Sequence, residues 1–404
     1  MVGVEWLEGG ITAVPGILAA GLHCGIKVSG KKDLALIYSS TPAVATGVFT
    51  TNRIVGAPVK VSREHLKGGV AQAIVASSGN ANVATGEQGV KDAREMADLV
   101  AQSLRIPPTH VLVASTGIIG QPLPIEKIRA GVPKLVKALS PQGGRAAAEA
   151  IMTTDTRRKE AALKVEIQGR AVTFGGVAKG AGMIAPQMAT MFCFLATDAA
   201  LTRDALDLVL RRAVERSFNR ITIDGDRSTS DTVFLLANGL AENRPLAKGD
   251  RRLQAFQHGL DALTQRLALM IVQDGEGATK LVEVRVSGAR SHRDALTAAR
   301  AIATSLLVKT ALAGEDPNWG RIIAALGASG AQMQEDKVAI SYGDEPVVEG
   351  GRLRQKVRWE RVKEALAGKE VLIQVDVGLG LGQAHIWTSD LTEEYIKINA
   401  RYTS

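Results

Sequence analysis

A threonine hydroxyl becomes a useful nucleophile only when a base sits beside it, and the simplest base is the residue's own α-amine. The stretch Lys179-Gly-Ala-Gly-Met-Ile-Ala-Pro-Gln-Met-Ala-Thr190-Met sets Thr190 directly after Ala189, in a run of small residues that carries one lysine. A break of the Ala189–Thr190 bond would give Thr190 a free α-amine. Acyl transfer would then need donors for a developing oxyanion and charges for a substrate.

Several other segments carry residue types suited to those tasks. Ser115-Thr-Gly-Ile-Ile-Gly120 follows a run that reads as a buried strand. Glycine there lets backbone N–H groups approach a ligand closely, although the spacing also fits a plain strand-to-helix turn. Met152-Thr-Thr-Asp-Thr156 packs three hydroxyls and a carboxylate together, which suits polar recognition and equally suits a turn or N-cap cluster. Asp274-Gly-Glu-Gly-Ala-Thr-Lys280 sets Glu276 between glycines; a carboxylate so placed fits an ammonium group, or simply a solvated turn. Termini usually fray, but the last ten residues, from Tyr395 to Ser404, are partly apolar and could be docked.

Two glycine runs are misleading. Gly25-Ile-Lys-Val-Ser-Gly-Lys-Lys32 nearly matches a phosphate loop, but Lys32 stands where Ser or Thr should hold Mg²⁺. Gly378-Leu-Gly-Leu-Gly382 suggests a dinucleotide fingerprint, yet strand-like sequence follows it where a helix N-terminus should face a pyrophosphate. A tight hairpin turn is expected there.

The elements that must hold these groups interleave. Short apolar runs at 34–38, 73–76 and 111–114 predict buried strands. Between the last two, Val90, Ala93, Met96, Ala97, Val100, Ala101 and Leu104 fall on one helix face, and Pro107-Pro108 ends it. Residues 124–139 predict another helix. Alternating Val165, Ile167, Val172 and Phe174 around Gln168-Gly169 predict a hairpin. Residues 191–196 predict a strand that would hold Thr190 rigidly. Later, helices are expected at 202–217, 253–267 and 292–312, the last capped by Ser291 with Asp294 as a capping-box variant.

Composition excludes several classes. Only 4% of residues are aromatic, which argues against a base-stacking nucleic-acid binder. The +8 net charge favours acidic ligands but is spread along the chain. Cys24 and Cys193 are the only cysteines, in no metal or redox spacing, and the six histidines are scattered, so no metal is expected. The first residues lack a signal-peptide pattern, and no apolar run reaches about 18 residues. The expectation is a soluble, cytoplasmic protein with neither nucleic-acid nor membrane partners.

Taken in order, these segments resemble the motifs of the ornithine acetyltransferase family, also called glutamate N-acetyltransferase. The resemblance lies in the Thr190 stretch, Ser78-Gly-Asn-Ala-Asn82, Ser115-Thr-Gly117, Ile151-Met-Thr-Thr-Asp-Thr156, Ser217-Phe-Asn-Arg-Ile-Thr-Ile-Asp-Gly-Asp226, Asp274-Gly-Glu-Gly-Ala-Thr279, Asp316-Pro-Asn-Trp-Gly-Arg321 and Ile398-Asn-Ala-Arg-Tyr-Thr-Ser404. It spans essentially the whole chain. It implies an α/β (α+β) fold with two domains of layered sheets between helices, similar to self-processing aminopeptidases. It also implies self-cleavage between Ala189 and Thr190, giving fragments 1–189 and 190–404 that pair into a heterotetramer of two copies each.

By matching position, the resemblance makes Thr190 the nucleophile and Thr116 with Gly117 the oxyanion hole. Thr153, Lys179, Thr190, Glu276, Asn399 and Ser404 would contact substrate. Arg227 and Ser230 depart from the small residues and asparagine that usually follow the Asp-Gly-Asp run. The implied activity moves acetyl from N2-acetylornithine to glutamate without a cofactor, and leaves open whether acetyl-CoA is a second donor. Two other classes compete with it: an amidohydrolase or aminopeptidase with the same nucleophile, which would pass the acyl group to water, and a non-catalytic binding protein.

Overall fold

The structure is a computed structural model and describes residues 3–167, 169–185 and 191–401. The chain forms two compact units. The first comprises residues up to 219 and 226–271; the second comprises 220–225 and 272 onward.

The first unit is built on a nine-stranded mixed sheet. Its strands are β1 (Val4–Leu7), β2 (Ile17–Leu22), β3 (Leu34–Phe49), β4 (Val70–Asn80), β5 (Val111–Ile118), β6 (Lys159–Ile167), β7 (Arg170–Lys179), β8 (Phe192–Thr197) and β9 (Thr232–Ala237), in the order β1-β6-β7-β8-β9-β3-β4-β5, with β2 also on β3. The first half of β3 pairs with β2 and its second half with β9; the register shifts between Tyr38 and Ala43. β4/β5 and β8/β9 run parallel, and the other pairs are antiparallel.

The apolar runs at 73–76 and 111–114 do not alternate because both faces of the sheet are covered. Ala73, Val75, Val111 and Val113 pack with Ala93, Met96, Ala97 and Val100 of α2 (Gly86–Leu104) and with Ile128, Val132 and Leu135 of α3 (Ile125–Lys137); Ala57 and Val61 of α1 (Ala57–His65) join them. Ile74, Ala76, Leu112 and Ala114 face the other way, onto Ala147, Ala148 and Ile151 of α4 (Gly144–Ile151). Further along the sheet, Phe192, Phe194 and Phe234 stack in sequence at 5.5 and 5.8 Å, which locks β8 to β9. α5 (Arg203–Arg216) starts at Thr202, whose hydroxyl accepts the Ala205 N–H as an N-cap. α6 (Leu253–Gln273) sets Phe256 against Phe174 of β7 at 4.8 Å.

The second unit holds a six-stranded sheet of β10 (Leu281–Ala289), β11 (Ala339–Tyr342), β12 (Glu345–Glu349), β13 (Arg352–Leu353), β14 (Glu370–Asp376) and β15 (Gly382–Ser389), ordered β13-β12-β11-β14-β10-β15. One face is apolar: Val282, Val284 and Val286 pack with Ala295, Ala299 and Ile302 of α7 (His292–Thr304) and Leu312 of α8 (Leu306–Ala313). Ile322 and Leu326 of α9 (Trp319–Gly327) and Val362 and Leu366 of α10 (Trp359–Ala367) complete that core. The chain then runs into α11 (Glu393–Ala400).

Most predicted elements are present: the strands expected at 34–38, 73–76 and 111–114 run longer, while the helices expected at 124–139 and 202–217 are slightly shorter, and the α/β class with two units agrees with expectation. Four details differ. Residues 115–117 do not follow β5 but form its C-terminal end. The helix expected over 253–267 runs on to Gln273 as α6. The helix expected over 292–312 breaks at Ser305, whose extended backbone and hydroxyl cap start α8 at 57° to α7. The run at 378–382 is not a tight hairpin, because β10 lies between β14 and β15. The glycines instead carry the chain across the end of β10: Leu379 and Gly380 N–H groups donate to the Gly288 carbonyl, and a Cβ at Gly288 would meet the Asp376 carboxylate at 2.2 Å.

Candidate active site

The site in the first unit lies where β4, β5, β7 and β8 end or begin. β4 and β5 run in parallel register, so Ser78 lies beside Thr116 and Gly79 beside Gly117. Ser78 Oγ donates to the Ala150 carbonyl at 2.6 Å, tying β4 to the end of α4, and the Asn80 amide donates to the Gln121 and Pro122 carbonyls. Gly117 sits at φ +131, where a Cβ would come within 2.4 Å of the Gly79 carbonyl carbon. The close approach of β4 to β5 therefore requires glycine at 117.

α4 ends at Ile151, and the turn that follows carries Thr153 and Asp155. The Asp155 carboxylate organises that turn. It accepts the Thr153 N–H at 2.9 Å, the Gly180 N–H at 2.7 Å and the Lys159 ammonium at 2.6 Å. Burial pushes this carboxyl up, but the ammonium groups of Lys159 and Lys179 outweigh it and hold the carboxyl well below the ordinary range. Lys179, the last residue of β7, is 2% exposed. Its Nζ donates to Thr153 Oγ1 at 2.8 Å and lies 3.4 Å from Thr116 Oγ1. A buried ammonium thus joins the two hydroxyls named from sequence, in a setting suited to a carboxylate or an oxyanion.

At the start of the chain that leads into β8, Met191 N–H donates to Asp231 Oδ1 at 2.9 Å, and the Met191 carbonyl accepts the Thr232 N–H. Asp231 is fully buried, and burial pushes its carboxyl well above the ordinary range. Ala189 and Thr190 themselves lie outside the described residues, as does Ser404. The structure thus brings together Thr116, Gly117, Thr153 and Lys179 within the first unit.

Glu276 and Asn399 meet within the second unit. Asn399 Nδ2 donates to Glu276 Oε2 at 2.8 Å and to the Tyr395 carbonyl at 3.0 Å. Gly277, at φ +71, lets the loop approach the backbone of α11, and Thr392 Oγ1 donates to the Gly277 carbonyl at 2.7 Å. Behind the loop, Asp390 accepts both the N–H and the hydroxyl of Thr279. The C-terminal segment therefore docks as far as the described residues extend, and it orients Glu276.

Sequence reasoning missed Asp155, Lys159 and Asp231 as site residues. Asp155 stood inside a motif already singled out, and Lys159 four residues later was its signal. Asp231, about 40 residues from Thr190 in sequence, had none. The Gly25–Lys32 run is no phosphate loop: the buried Asp33 carboxylate gathers the Cys24, Gly25 and Lys27 N–H groups around itself.

Comparison with known proteins bears on the chain as a whole. The ArgJ family model matches residues 18–404. An arginine biosynthesis bifunctional protein of Symbiobacterium thermophilum is 51% identical over 403 residues, 99% of this chain and 100% of the relative. One of the same name from Synechococcus sp. is 46% identical over 415 aligned positions, covering 100% of both chains. A crystal structure of ornithine acetyltransferase from Mycobacterium tuberculosis, complexed with ornithine, is 40% identical over 46% of this chain and 98% of that chain, with a TM-score of 0.43. With the family model and such relatives spanning nearly its whole length, this chain belongs to the ArgJ family.

Proposed function

We propose that this chain is an acetyltransferase of arginine biosynthesis that moves acetyl from N2-acetylornithine to glutamate through an acetyl ester on Thr190. The observation that carries the reading is the buried Lys179 ammonium, which reaches both the Thr153 and Thr116 hydroxyls at the strand ends. Family membership supports the same reaction.

The chemistry uses one hydroxyl twice. In the uncut chain, Thr190 Oγ attacks the Ala189 carbonyl; the C–N bond breaks, an ester forms, and the hydroxyl proton passes to the new amine. Water cleaves the ester and frees the fragments 1–189 and 190–404. The freed α-amine, with an ordinary pKa near ~8, is neutral in sizeable part at neutral pH and accepts the Oγ proton. Oγ then attacks the acetyl carbonyl of N2-acetylornithine. Donors at Thr116 and Gly117 stabilise the tetrahedral oxyanion, each worth roughly 3–4 kcal/mol. The proton passes to the departing amine and ornithine leaves. The amine of glutamate attacks the ester, and Thr190 recovers its proton. The kinetics are ping-pong.

Lys179 pairs with the substrate α-carboxylate, and Glu276, oriented by Asn399, with the side-chain ammonium of ornithine. Ser404 adds a hydroxyl. Acetyl-CoA is the proposed second donor, a reading supported only by the name of the relatives, bifunctional proteins of arginine biosynthesis. No other cofactor takes part. The paired fragments form a heterotetramer and act in the cytoplasm. Mass spectrometry of the purified protein is expected to give two polypeptides, one beginning at Thr190. Thr190→Ala is expected to give one uncut chain that transfers no acetyl. Uncut Thr190→Ala protein working at the normal rate would sink the scheme.

A further inference from the structure

A cavity of about 650 Å³ in the first unit is lined by Lys27, Lys31, Lys32, Glu149 and the turn 152–156. It adjoins the Lys179 site, and two ammonium groups hold consecutive residues of one turn. Lys27 Nζ donates to the Met152 carbonyl at 2.6 Å and Lys179 Nζ to the Thr153 hydroxyl at 2.8 Å. Lys27 also donates to the Lys32 carbonyl at 2.8 Å, which leaves one ammonium N–H for a ligand. Both acids in the lining already have cations. Glu149 pairs with Lys32 at 2.7 Å and also with Arg145 and Arg158; Asp155 pairs with Lys159. Behind the cavity the buried Asp33 carboxylate, paired with His23, also faces Lys27; counting it, Lys27 and Lys31 still leave a net positive excess, with Thr154 beside them.

The transfer reaction has a problem that this excess solves. Its donor and its acceptor share an α-carboxylate and an α-nitrogen but end differently: acetylornithine in a cation, glutamate in a second carboxylate. Glu276 suits the cation and repels the carboxylate. We propose that the Lys27 cavity is the acceptor subsite, and that the Lys27 ammonium pairs with the side-chain carboxylate of glutamate. The assignment rests on the acetyl-transfer reading above and adds how the second substrate is chosen. A monoanion suits the single remaining N–H of Lys27; a phosphate would engage several donors.

Burial lowers the Lys27 ammonium to about 8. Asp33 opposes the shift, Lys179 adds to it, Asp155 opposes it and Lys31 adds to it; Lys32 and Glu149 line the same cavity as a neutralised pair. A bound carboxylate would restore the proton.

The test compares glutamate with glutamine as acceptor, in the unaltered protein and in Lys27→Met. Ornithine release from N2-acetylornithine reports the first half-reaction, and so the acetyl-transfer reading, by itself. The glutamate-to-glutamine ratio of kcat/KM reports Lys27. The unaltered protein is expected to prefer glutamate by about tenfold to a hundredfold, the span of a charged hydrogen bond. In Lys27→Met the preference is expected to fall to about threefold or less. Equal losses for both acceptors would make Lys27 a structural staple and overturn the assignment. So would a raised KM for acetyl-CoA with the ratio unchanged. A second measurement uses the protein without substitution. Between about pH 7 and pH 9 Lys27 loses its proton, so KM for glutamate should rise about tenfold relative to KM for glutamine. A flat ratio across that range also overturns the assignment.

Discussion

Gly117→Ala tests how tightly the end of β5 is held where the oxyanion donors are proposed. The added Cβ would lie 2.4 Å from the Gly79 carbonyl carbon, 2.6 Å from the Asn80 nitrogen and 2.7 Å from the Gly79 Cα. All three are backbone atoms of β4, so no side chain can swing away, and the strands must part by about 1 Å to restore ordinary contact. The φ of +131 adds strain of roughly 1–3 kcal/mol, and the overpacking adds roughly 1–3 kcal/mol more. A midpoint of about 4 kcal/mol corresponds to a fall of about 8–16 °C in the melting of a unit this size. Displacing an oxyanion donor by about 1 Å should also cost about 10²- to 10³-fold in acetyl transfer. Gly120→Ala is the control: Gly120 also has positive φ, +84, but open space around its would-be Cβ. It should lose only the strain component. Thermal melts and transfer assays of both variants decide the matter. Gly117→Ala protein melting within about 2 °C of the original, with activity within about twofold, would refute the reasoning.

Two further outcomes follow from buried charges. Asp155→Ala removes the carboxylate that holds Lys159 and should cost about 3–5 kcal/mol in urea unfolding near neutral pH. Asp155 is held below its unfolded value, so its contribution is present above about pH 4 and lost as pH falls further; the acid-unfolding curve of Asp155→Asn should lack that component. Lys309, 1% exposed, donates to the Thr388 hydroxyl and the Ser389 carbonyl, and burial lowers it to about 8. Between about pH 8 and 10.5 the unfolded chain binds more protons than the folded one. Stability should therefore rise with pH across that window, by on the order of 3 kcal/mol, and Lys309→Met should remove the rise.

The legibility of the sequence followed the range of the interactions involved. Helix α2 was plain because its buried positions repeat within one segment, and the hairpin at Gly169 because both strands adjoin the turn. The 378–382 run misled because its partner strand, β10, lies about 90 residues earlier, and no local pattern says that a third strand intervenes. The break at Ser305 was hidden because α7 and α8 are both apolar on the buried side, and a serine hydroxyl that ends one helix can start the next. At the site, Thr116, Thr153 and Lys179 were each readable in their motifs. Their meeting was not, since it depends on the order β7-β8-β9-β3-β4-β5 and on the Asp155 carboxylate. Asp231 was invisible because its task, accepting the Met191 N–H, arises only from the parallel pairing of β8 with β9.

That pairing also decides how the protein can be taken apart. Residues before 190 supply β1 to β7, and residues after it supply β8 and β9. In the sheet these two strands are the keystone between β7 and β3, with six paired positions on each side. Neither half is thus a domain that could be made and purified separately. The first half alone would present two raw sheet edges, at β7 and β3, open to pairing with other chains. A nick at 189–190 would leave the ladders on both sides intact, so dilution would not part the pieces and only denaturant would. If the chain is cut at the proposed bond, it must fold whole first. Halves expressed from separate messages should aggregate unless they meet early enough to complete one sheet together.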